Sequence, residues 1–254
     1  MNPQKCKNCQ NKFEGEYCHN CGQRKIGNQR LQMREVITDF FDNTFNLHKG
    51  FLFTFWKLII TPGSVAHAYI NGKRKFFTNP TRYMVIALAF QTFIDYWFET
   101  TKVIENETYY TFSFLSNSLN TSMEIWNIKL AVEYILLSNL FMIILIPALL
   151  FLFFKKLKFN YTELLAVNFY FIPTILFITM PLLFVTKVVF GIFVPKELII
   201  FIFTSYMFWS NFSFFKAVSL RERILKIITV IFVFMFIRIL ILPLVMSLIF
   251  PLYY

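Results

Sequence analysis

The fold is decided by the stretch VEYILLSNLFMIILIPALLFLFF, residues 132–154, in which Glu133 is the only charged residue. A helix needs about 20 predominantly apolar residues to cross the hydrocarbon core of a bilayer, and this stretch is long enough. Across the whole chain, 57% of the residues are hydrophobic, 35 are phenylalanine and 15% are charged. So few charged residues could not cover a soluble core of this size. The sequence therefore predicts a mainly α-helical, multi-pass membrane protein.

Four other segments have the same apolar character. We predict five spans, at about residues 81–98, 132–154, 164–186, 197–215 and 227–249, so that residues 81–254 form a transmembrane helical bundle. Lys187 and Lys196 bracket a further apolar stretch, VVFGIFVP, between the third and fourth spans. This stretch is a candidate for a re-entrant or interfacial segment on the outer side.

The charges are unevenly distributed, and they predict the orientation of the chain. Residues 1–82 hold 13 Lys and Arg but five Asp and Glu, and further basic clusters lie at 155–158 and 216–226. Lys and Arg next to spans are retained on the cytoplasmic side. With five spans, the N-terminus and all three basic clusters then lie in the cytoplasm. The glutamate-containing loop 99–131 and the C-terminus lie outside, as in a protein of the cytoplasmic (inner) membrane.

All four cysteines of the chain lie in KCKNCQNKFEGEYCHNCGQ, residues 5–23. Cys6 and Cys9 form one CxxC pair, and Cys18 and Cys21 form another. Each CxxC turn can supply two thiolates to a tetrahedral metal site, and a reducing cytoplasm disfavours disulfides. The spacing therefore predicts a zinc-ribbon-like head over residues 1–25, with zinc as a structural cofactor. Iron in a rubredoxin-like site and a dithiol redox pair are the alternatives.

The residues between the cysteines indicate how such a head is built. Gly22 suits the tight turn after the second pair because glycine readily adopts positive φ, whereas Gln10 stands at the matching position after the first pair. We expect Phe13 and Tyr17 to cover the small core. A fold of this size depends on its metal, and four thiolates leave no open coordination position. The predicted role of the metal is therefore structural.

Residues 26–80 are predicted to be cytoplasmic or interfacial. Residues 30–48 have amphipathic spacing, and 51–63 are apolar but too short to span. NGKRKFFTNP, residues 71–80, is named the basic box here. Its cations and the one that follows it are expected to contact anionic lipid head groups: Lys73, Arg74, Lys75 and Arg82. Tyr69, Phe76 and Phe77 are expected to anchor beside them at the interface.

The basic box admits three interpretations. It can serve as a topological anchor, or as a phosphate-binding site for a lipid head group or a nucleotide. The nucleotide version is weakened because no glycine-rich phosphate loop accompanies the box. A nucleic acid partner is disfavoured relative to lipid, since anionic head groups lie beside these cations in any case.

Two charged residues fall inside the predicted spans. Arg238 lies near the centre of the fifth span, where insertion of an arginine costs about 2.5–3.5 kcal/mol, and Asp95 lies in the outer half of the first. We hypothesise an intramembrane Asp95–Arg238 pair, either as a clamp between helices or as part of a transport path. The asparagines within the spans are predicted to form hydrogen bonds between helices: Asn139, Asn168 and Asn211.

The first 85 residues or so also carry a family resemblance. CKNCQ…YCHNCGQ, followed by FNLHKGFLFTFWKLIITPGSVAHAYINGKRKFFTNPTRY, resembles a domain-of-unknown-function family of bacterial membrane proteins. That family pairs a zinc-ribbon-like head with a YI-x-GKR…P juxtamembrane box and several transmembrane helices. The chain has Thr61 where many members have a basic residue, and Phe77 where tyrosine is expected. The resemblance implies an architecture and a location, and no activity.

Three functions are compatible with this sequence. The first is a non-enzymatic docking, scaffold or regulatory protein, whose head binds a protein partner or the chain's own short helices. The second is a small transporter or channel that uses Asp95 and Arg238. The third is an enzyme acting on a lipid or another membrane-borne substrate, which is disfavoured because His48 and His67 lack an accompanying nucleophile motif. The sequence does not indicate an oligomeric state.

Overall fold

The structure, a computed structural model, describes residues 4–25, 30–34, 50–97, 112–131, 133–192 and 194–250. Most of the predicted amphipathic segment at 30–48, including His48, lies outside the described residues, as do residues 98–111 and the C-terminal residues 251–254.

The head begins with a short antiparallel hairpin. Strand β1 (Gln4–Lys5) pairs with β2 (Lys12–Phe13), and an isolated bridge joins Tyr17 to Arg24. Phe13 is 4% exposed and packs against the cysteines, as predicted. Tyr17 is 58% exposed, so the prediction that it covers the core is wrong. Phe13 and the cysteines fill a core this small, and Tyr17 remains on the surface.

Most of the remaining described chain is helical. The helices are α1 (Gly50–Ile60), α2 (Pro62–Ile70), α3 (Pro80–Trp97), α4 (Asn117–Ala131), α5 (Ile135–Phe153), α6 (Tyr161–Val185), α7 (Lys196–Phe214), α8 (Leu220–Phe236) and α9 (Leu242–Ile249). A π-helical turn, Thr186–Phe190, extends α6 until Gly191 ends it with a left-handed conformation. A second π-helical turn, Ile237–Ile241, joins α8 to α9.

Three continuous helical segments are long and apolar enough to cross a membrane: Ile135–Phe153, Tyr161–Phe190 and Leu220–Ile249. They contain or closely match the second, third and fifth predicted spans. The first and fourth predicted spans coincide with α3 and α7, which have 18 and 19 residues but are not among these three. The described residues are therefore mainly helical and include three candidate membrane spans.

Helix α6 is the centre of the bundle and packs against α3, α5 and α7. Tyr83 of α3 reaches Thr174 of α6, with 3.1 Å between the hydroxyl oxygens. Asn139 of α5 donates its amide to the Oε1 atom of Gln91 on α3 at 2.8 Å, which agrees with the predicted interhelix role. The amides of Asn168 and Asn211 instead donate to carbonyls of their own helices.

The junction of α1 and α2 brings two backbones together. Pro62 occupies the first turn of α2, where a backbone N–H would have no partner within the helix, so its missing N–H does not destabilise the helix. Thr61 separates α1 from α2. A β-carbon on Gly63 would lie 2.2 Å from the carbonyl oxygen of Ser213 on α7, closer than any real contact. The Gly63 N–H also donates to the Ser213 hydroxyl at 3.2 Å. Glycine at this position therefore permits the crossing of α2 and α7.

Helix α4 was not predicted. It lies within the segment that the sequence indicated to be a loop, and it packs against α9. Its buried residues recur at helical spacing: Met123, Trp126, Asn127 and Leu130. The indole N–H of Trp126 donates to the carbonyl of Phe250 at 3.3 Å. Because the segment as a whole is only weakly hydrophobic, its composition did not indicate the amphipathic helix that covers one end of the bundle.

Candidate metal centre and its docking surface

The four predicted ligands come together. The sulfur atoms of Cys6, Cys9, Cys18 and Cys21 all lie within 4.8 Å of one another, and none is in a disulfide. The sulfurs of Cys6 and Cys21 are 3.6 Å apart, as are those of Cys9 and Cys18. A metal–sulfur bond of about 2.3 Å implies edges of about 3.8 Å in a tetrahedron of sulfurs. The cluster therefore has the dimensions of a four-thiolate metal site.

The two CxxC turns have the same backbone design. The N–H of Cys6 donates to the carbonyl of Asn11 at 2.8 Å, and the N–H of Cys18 donates to the carbonyl of Gln23 at 2.9 Å. Each turn closes with a residue at positive φ: Gln10 at 65° and Gly22 at 68°. Gln10 thus adopts the strained conformation that glycine adopts freely in the other turn.

The protonation of the site also fits metal binding. The backbone amide of Asn11, helped by the Asn20 side chain and by Cys21 and Cys18, lowers the pKa of Cys9 to about 6. Because the thiolate is the form that binds metal, Cys9 is a ready ligand at neutral pH. Four soft ligands favour zinc or iron over hard cations, and they leave no position for a substrate.

The head is held on the basic box by one buried side chain. Gln23 is 6% exposed and lies directly after the second CxxC turn. Its Nε2 atom donates to the carbonyl of Gly72 at 2.8 Å, and its Oε1 atom accepts from the N–H of Arg74 at 3.2 Å. The amide therefore binds two backbone groups about 50 residues further along the chain, which fixes the head over residues 72–74.

The cations of the basic box lie in different surroundings. The guanidinium of Arg74 lies 5.3 Å from the ring centre of Tyr69, and Lys73 is exposed. Lys75 is exposed as well, but its Nζ atom lies 3.6 Å from the position of a β-carbon on Gly22, so its ammonium lies against the head. Tyr69 is 1% exposed, which corrects the prediction that it anchors at the interface; it packs edge-on against Tyr170 in the core.

A second connection joins the segment after the head to the start of α6. Arg30 pairs with Glu163 through two hydrogen bonds, at 3.1 and 2.7 Å, and donates to the carbonyl of Lys158. Asn160 caps α6 in a reciprocal capping box with Glu163, and its amide donates to the carbonyl of Leu31 at 3.1 Å. Leu31 is 2% exposed and belongs to the main core.

These contacts place the head and two of the basic clusters at one end of the bundle. The rings of Phe154 and Phe215 stack with centres 3.8 Å apart, and Lys226 lies 5.4 Å from the Phe154 ring centre. Loops 155–160 and 215–219 are thereby neighbours, and Arg30, which lies beyond the head in the sequence, contacts the first of them. Trp126 and Phe250 meet elsewhere, between α4 and the end of α9.

The other predicted site residues are more dispersed. Asp95 lies in the last turn of α3, which packs chiefly on α6. Arg238 lies in the π-helical turn that joins α8 and α9. Their pairing stays a prediction. His67 stacks on Phe214 with ring centres 4.5 Å apart, and its Nε2 atom lies 2.8 Å from the Phe214 carbonyl oxygen, which is a packing role.

A segment that includes the basic box matches a family model. Residues 49–92 match the model of a family described as "Protein of unknown function (DUF3667)". The matched segment contains α1, α2, the basic box and the first part of α3, and it ends before the rest of the bundle. The four cysteines lie outside it. Neither the curated proteins nor the solved structures include a match to this chain.

The sequence did not indicate the residues that attach the head. Gln23, Arg30 and Glu163 are ordinary polar residues in it, and their partners lie 49 to 133 positions away. The one local signal is the pattern Asn160–Glu163 ahead of an apolar run, which is a capping box and identifies the start of α6.

Proposed function

We propose that this protein is a non-enzymatic, multi-pass protein of the bacterial inner membrane whose zinc-bearing head serves as a docking element at the cytoplasmic surface. The observation that carries the proposal is the pair of hydrogen bonds between the Gln23 side chain and the backbone of Gly72 and Arg74. Through them the head docks on the chain's own basic box. A closed four-thiolate site offers no reactive position, so its contribution is to stabilise the surface that the head presents.

The contacts of Arg30 with the loop and helix that follow α5 support five crossings. Arg30 joins the segment after the head to Lys158 and Glu163, so these residues share one side of the membrane. If α5, α6 and the α8–α9 segment were the only crossings, loop 155–160 would lie on the side opposite the head. Crossings by α3 and α7 remove this conflict and place every basic cluster on the side of the head.

Anionic lipid head groups are the proposed partner of the basic box. Lys73 is exposed and Arg74 is half-buried beside the head. Phe76, 57% exposed, supplies an aromatic side chain next to these cations. Cations near an anionic surface gain about 1 kcal/mol each. The head and the lipid surface would then together hold the box in one conformation, on which a protein partner could also dock.

A transport role is the second candidate, because Arg238 lies in a π-helical turn and such turns are frequent at functional sites. Gln91 and Asn139 add a buried polar pair to the bundle, one helical turn along α3 from Asp95. In this version Asp95 and Arg238 line a path for a small polar or charged solute.

Capture of the protein from native membranes, followed by lipid, protein and metal analysis of the same sample, tests the proposal. We expect bound zinc and enrichment of anionic phospholipid, with the lipid reduced in a Lys73→Gln/Arg74→Gln variant. A Lys187→Gln variant, altered beyond the end of α6, is the matched control. Equal lipid content in all three proteins would contradict the lipid assignment. Chemical conversion of added membrane lipid by the purified protein would contradict the non-enzymatic assignment.

A further inference from the structure

The ammonium of Lys75 lies against the second CxxC turn. The β-carbon position of Gly22 is 3.6 Å from Nζ and 3.8 Å from Cε of this lysine, so the side chain crosses the turn directly after Cys21. Lys75 belongs to the basic box, more than 50 residues further along the chain. The contact therefore arises from docking of the head on the box.

A metal-loaded head carries charge of the opposite sign. Four thiolates around a divalent ion have a formal charge of about −2, and such a centre is stabilised by outer hydrogen bonds and cations. The second CxxC turn is the one that meets the basic box, through Gln23 and through the Lys75 side chain beside Gly22. Lys75 is thus placed where the excess negative charge of the centre can be balanced.

Gln23 connects the second CxxC turn to the basic box, because its backbone amide group bonds to the turn and its side-chain amide group bonds to the box. Its backbone carbonyl accepts the N–H of Cys18, which closes the second CxxC turn. Its side chain binds Gly72 and Arg74. Because one residue completes both structures, an ordered metal turn orients the side chain that docks the head.

We infer that Lys75 is the outer cation of the four-cysteine centre, and that metal binding and docking of the head on the basic box are one coupled equilibrium. Metal loading orders Gln23 and supplies the charge that attracts Lys75, and both fix the box. Removal of the metal releases Lys75 and the 72–74 backbone at the membrane surface. This inference rests on the proposed metal site and assigns it a regulatory consequence.

The test uses the full-length protein in detergent micelles, loaded with Co²⁺ and then titrated with a competing Zn²⁺ chelate. We expect Lys75→Gln to weaken metal affinity by about tenfold, the lower end of the range for outer-shell changes. Lys75→Arg should restore most of the affinity. Lys73→Gln, which removes a neighbouring exposed cation of the same basic box, should leave it unchanged. The deficit of Lys75→Gln should shrink at high salt, because the interaction is between charges.

Hydrogen exchange of the Arg74 amide measures the docking itself. Its N–H donates to Gln23, so the metal-loaded wild type should protect it, and chelation of the metal or Gln23→Ala should remove that protection. Unchanged protection after chelation, or equal metal affinities of Lys75→Gln and Lys73→Gln, would overturn the inference while leaving the metal site intact. Failure of the wild type to show the Co²⁺–thiolate absorption would overturn the metal site and the inference together.

Discussion

The guanidinium of Arg30 lies on the carboxylate of Glu163, with Nη2 2.7 Å from Oε2 and Nε 3.1 Å from Oε1. The Glu163 side chain is 5% exposed and that of Arg30 is 55% exposed, so the pair lies at the boundary between core and solvent. Glu163 also accepts the N–H of Asn160 at 2.9 Å. The Glu163 carboxylate thus caps α6 and binds Arg30, in the segment that follows the head, to the start of the same helix.

Removal of the Arg30–Glu163 pair should loosen the head and destabilise α6. We expect Arg30→Gln to cost about 1 kcal/mol, because the arginine is half exposed and solvent screens the pair. Glu163→Ala should cost about 2 kcal/mol, since it also removes the cap of α6. Thermal unfolding of the purified protein measures both.

A double-mutant cycle separates the pair from the cap. The coupling between Arg30→Gln and Glu163→Ala should be favourable and close to the cost of the arginine change alone. Arg34→Gln, an arginine four residues further along the same segment, serves as the control. Additive effects of the two substitutions would show that the contact does not contribute to stability.

Enlargement of Gly63 should separate α2 from α7. Any β-carbon there meets the backbone of Ser213 at 2.2 Å, and a backbone cannot move aside as a flexible side chain can. We expect Gly63→Ala to destabilise the protein by about 2 kcal/mol despite the higher helix propensity of alanine. Gly50→Ala, whose nearest contact would be an ordinary 3.6 Å, is the matched control and should be tolerated. A Gly63→Ala variant as stable as Gly50→Ala would refute the close crossing.

The long apolar helices were predictable because a span needs only composition and length. The stretch 132–154 predicted α5 to within a few residues, since a run of about 20 apolar residues has few alternatives to a membrane helix. The four-cysteine cluster was predictable for a similar reason: CxxC spacing brings two thiolates together locally, and two such turns complete a tetrahedron.

The features that failed to be predicted depend on long-range packing or local strain. Helix α4 was missed because its apolar stripe is narrow, and only its contact with α9 shows what that stripe covers. The π-helical turn at Ile237–Ile241 lies just before Pro243, which cannot donate to the carbonyl of Ile239. Whether the helix answers that missing bond with a kink or with a π-helical turn depends on packing against its neighbours, which the sequence does not show. Tyr69 was assigned to the interface because its neighbours are basic, but its ring enters the core.

Cys9 should be the earliest site of alkylation in the metal-free, reduced protein. Its pKa is lowered to about 6, chiefly by the backbone amide of Asn11, so at neutral pH it is mostly thiolate. The alkylation rate of Cys9 should rise through about pH 6 and level off above pH 7. Mass spectrometry of peptides after brief iodoacetamide treatment measures it. Zinc should protect all four cysteines together, and a midpoint for Cys9 near that of an unperturbed thiol would contradict the prediction.

The number and direction of the crossings can be read from reporter fusions. If α3, α5, α6, α7 and the α8–α9 segment all cross, fusions after Lys158 and Lys216 should report the same side as the head. Fusions after Asn117 and Gly191 should report the opposite side. Crossing by the three long segments alone would move the Lys158 fusion away from the head, although Arg30 donates to the carbonyl of Lys158. The Lys158 fusion therefore decides between the two topologies. A cytoplasmic signal there, matching a fusion at Lys25, is the expected result, because both positions lie among the basic residues that membranes retain on that side.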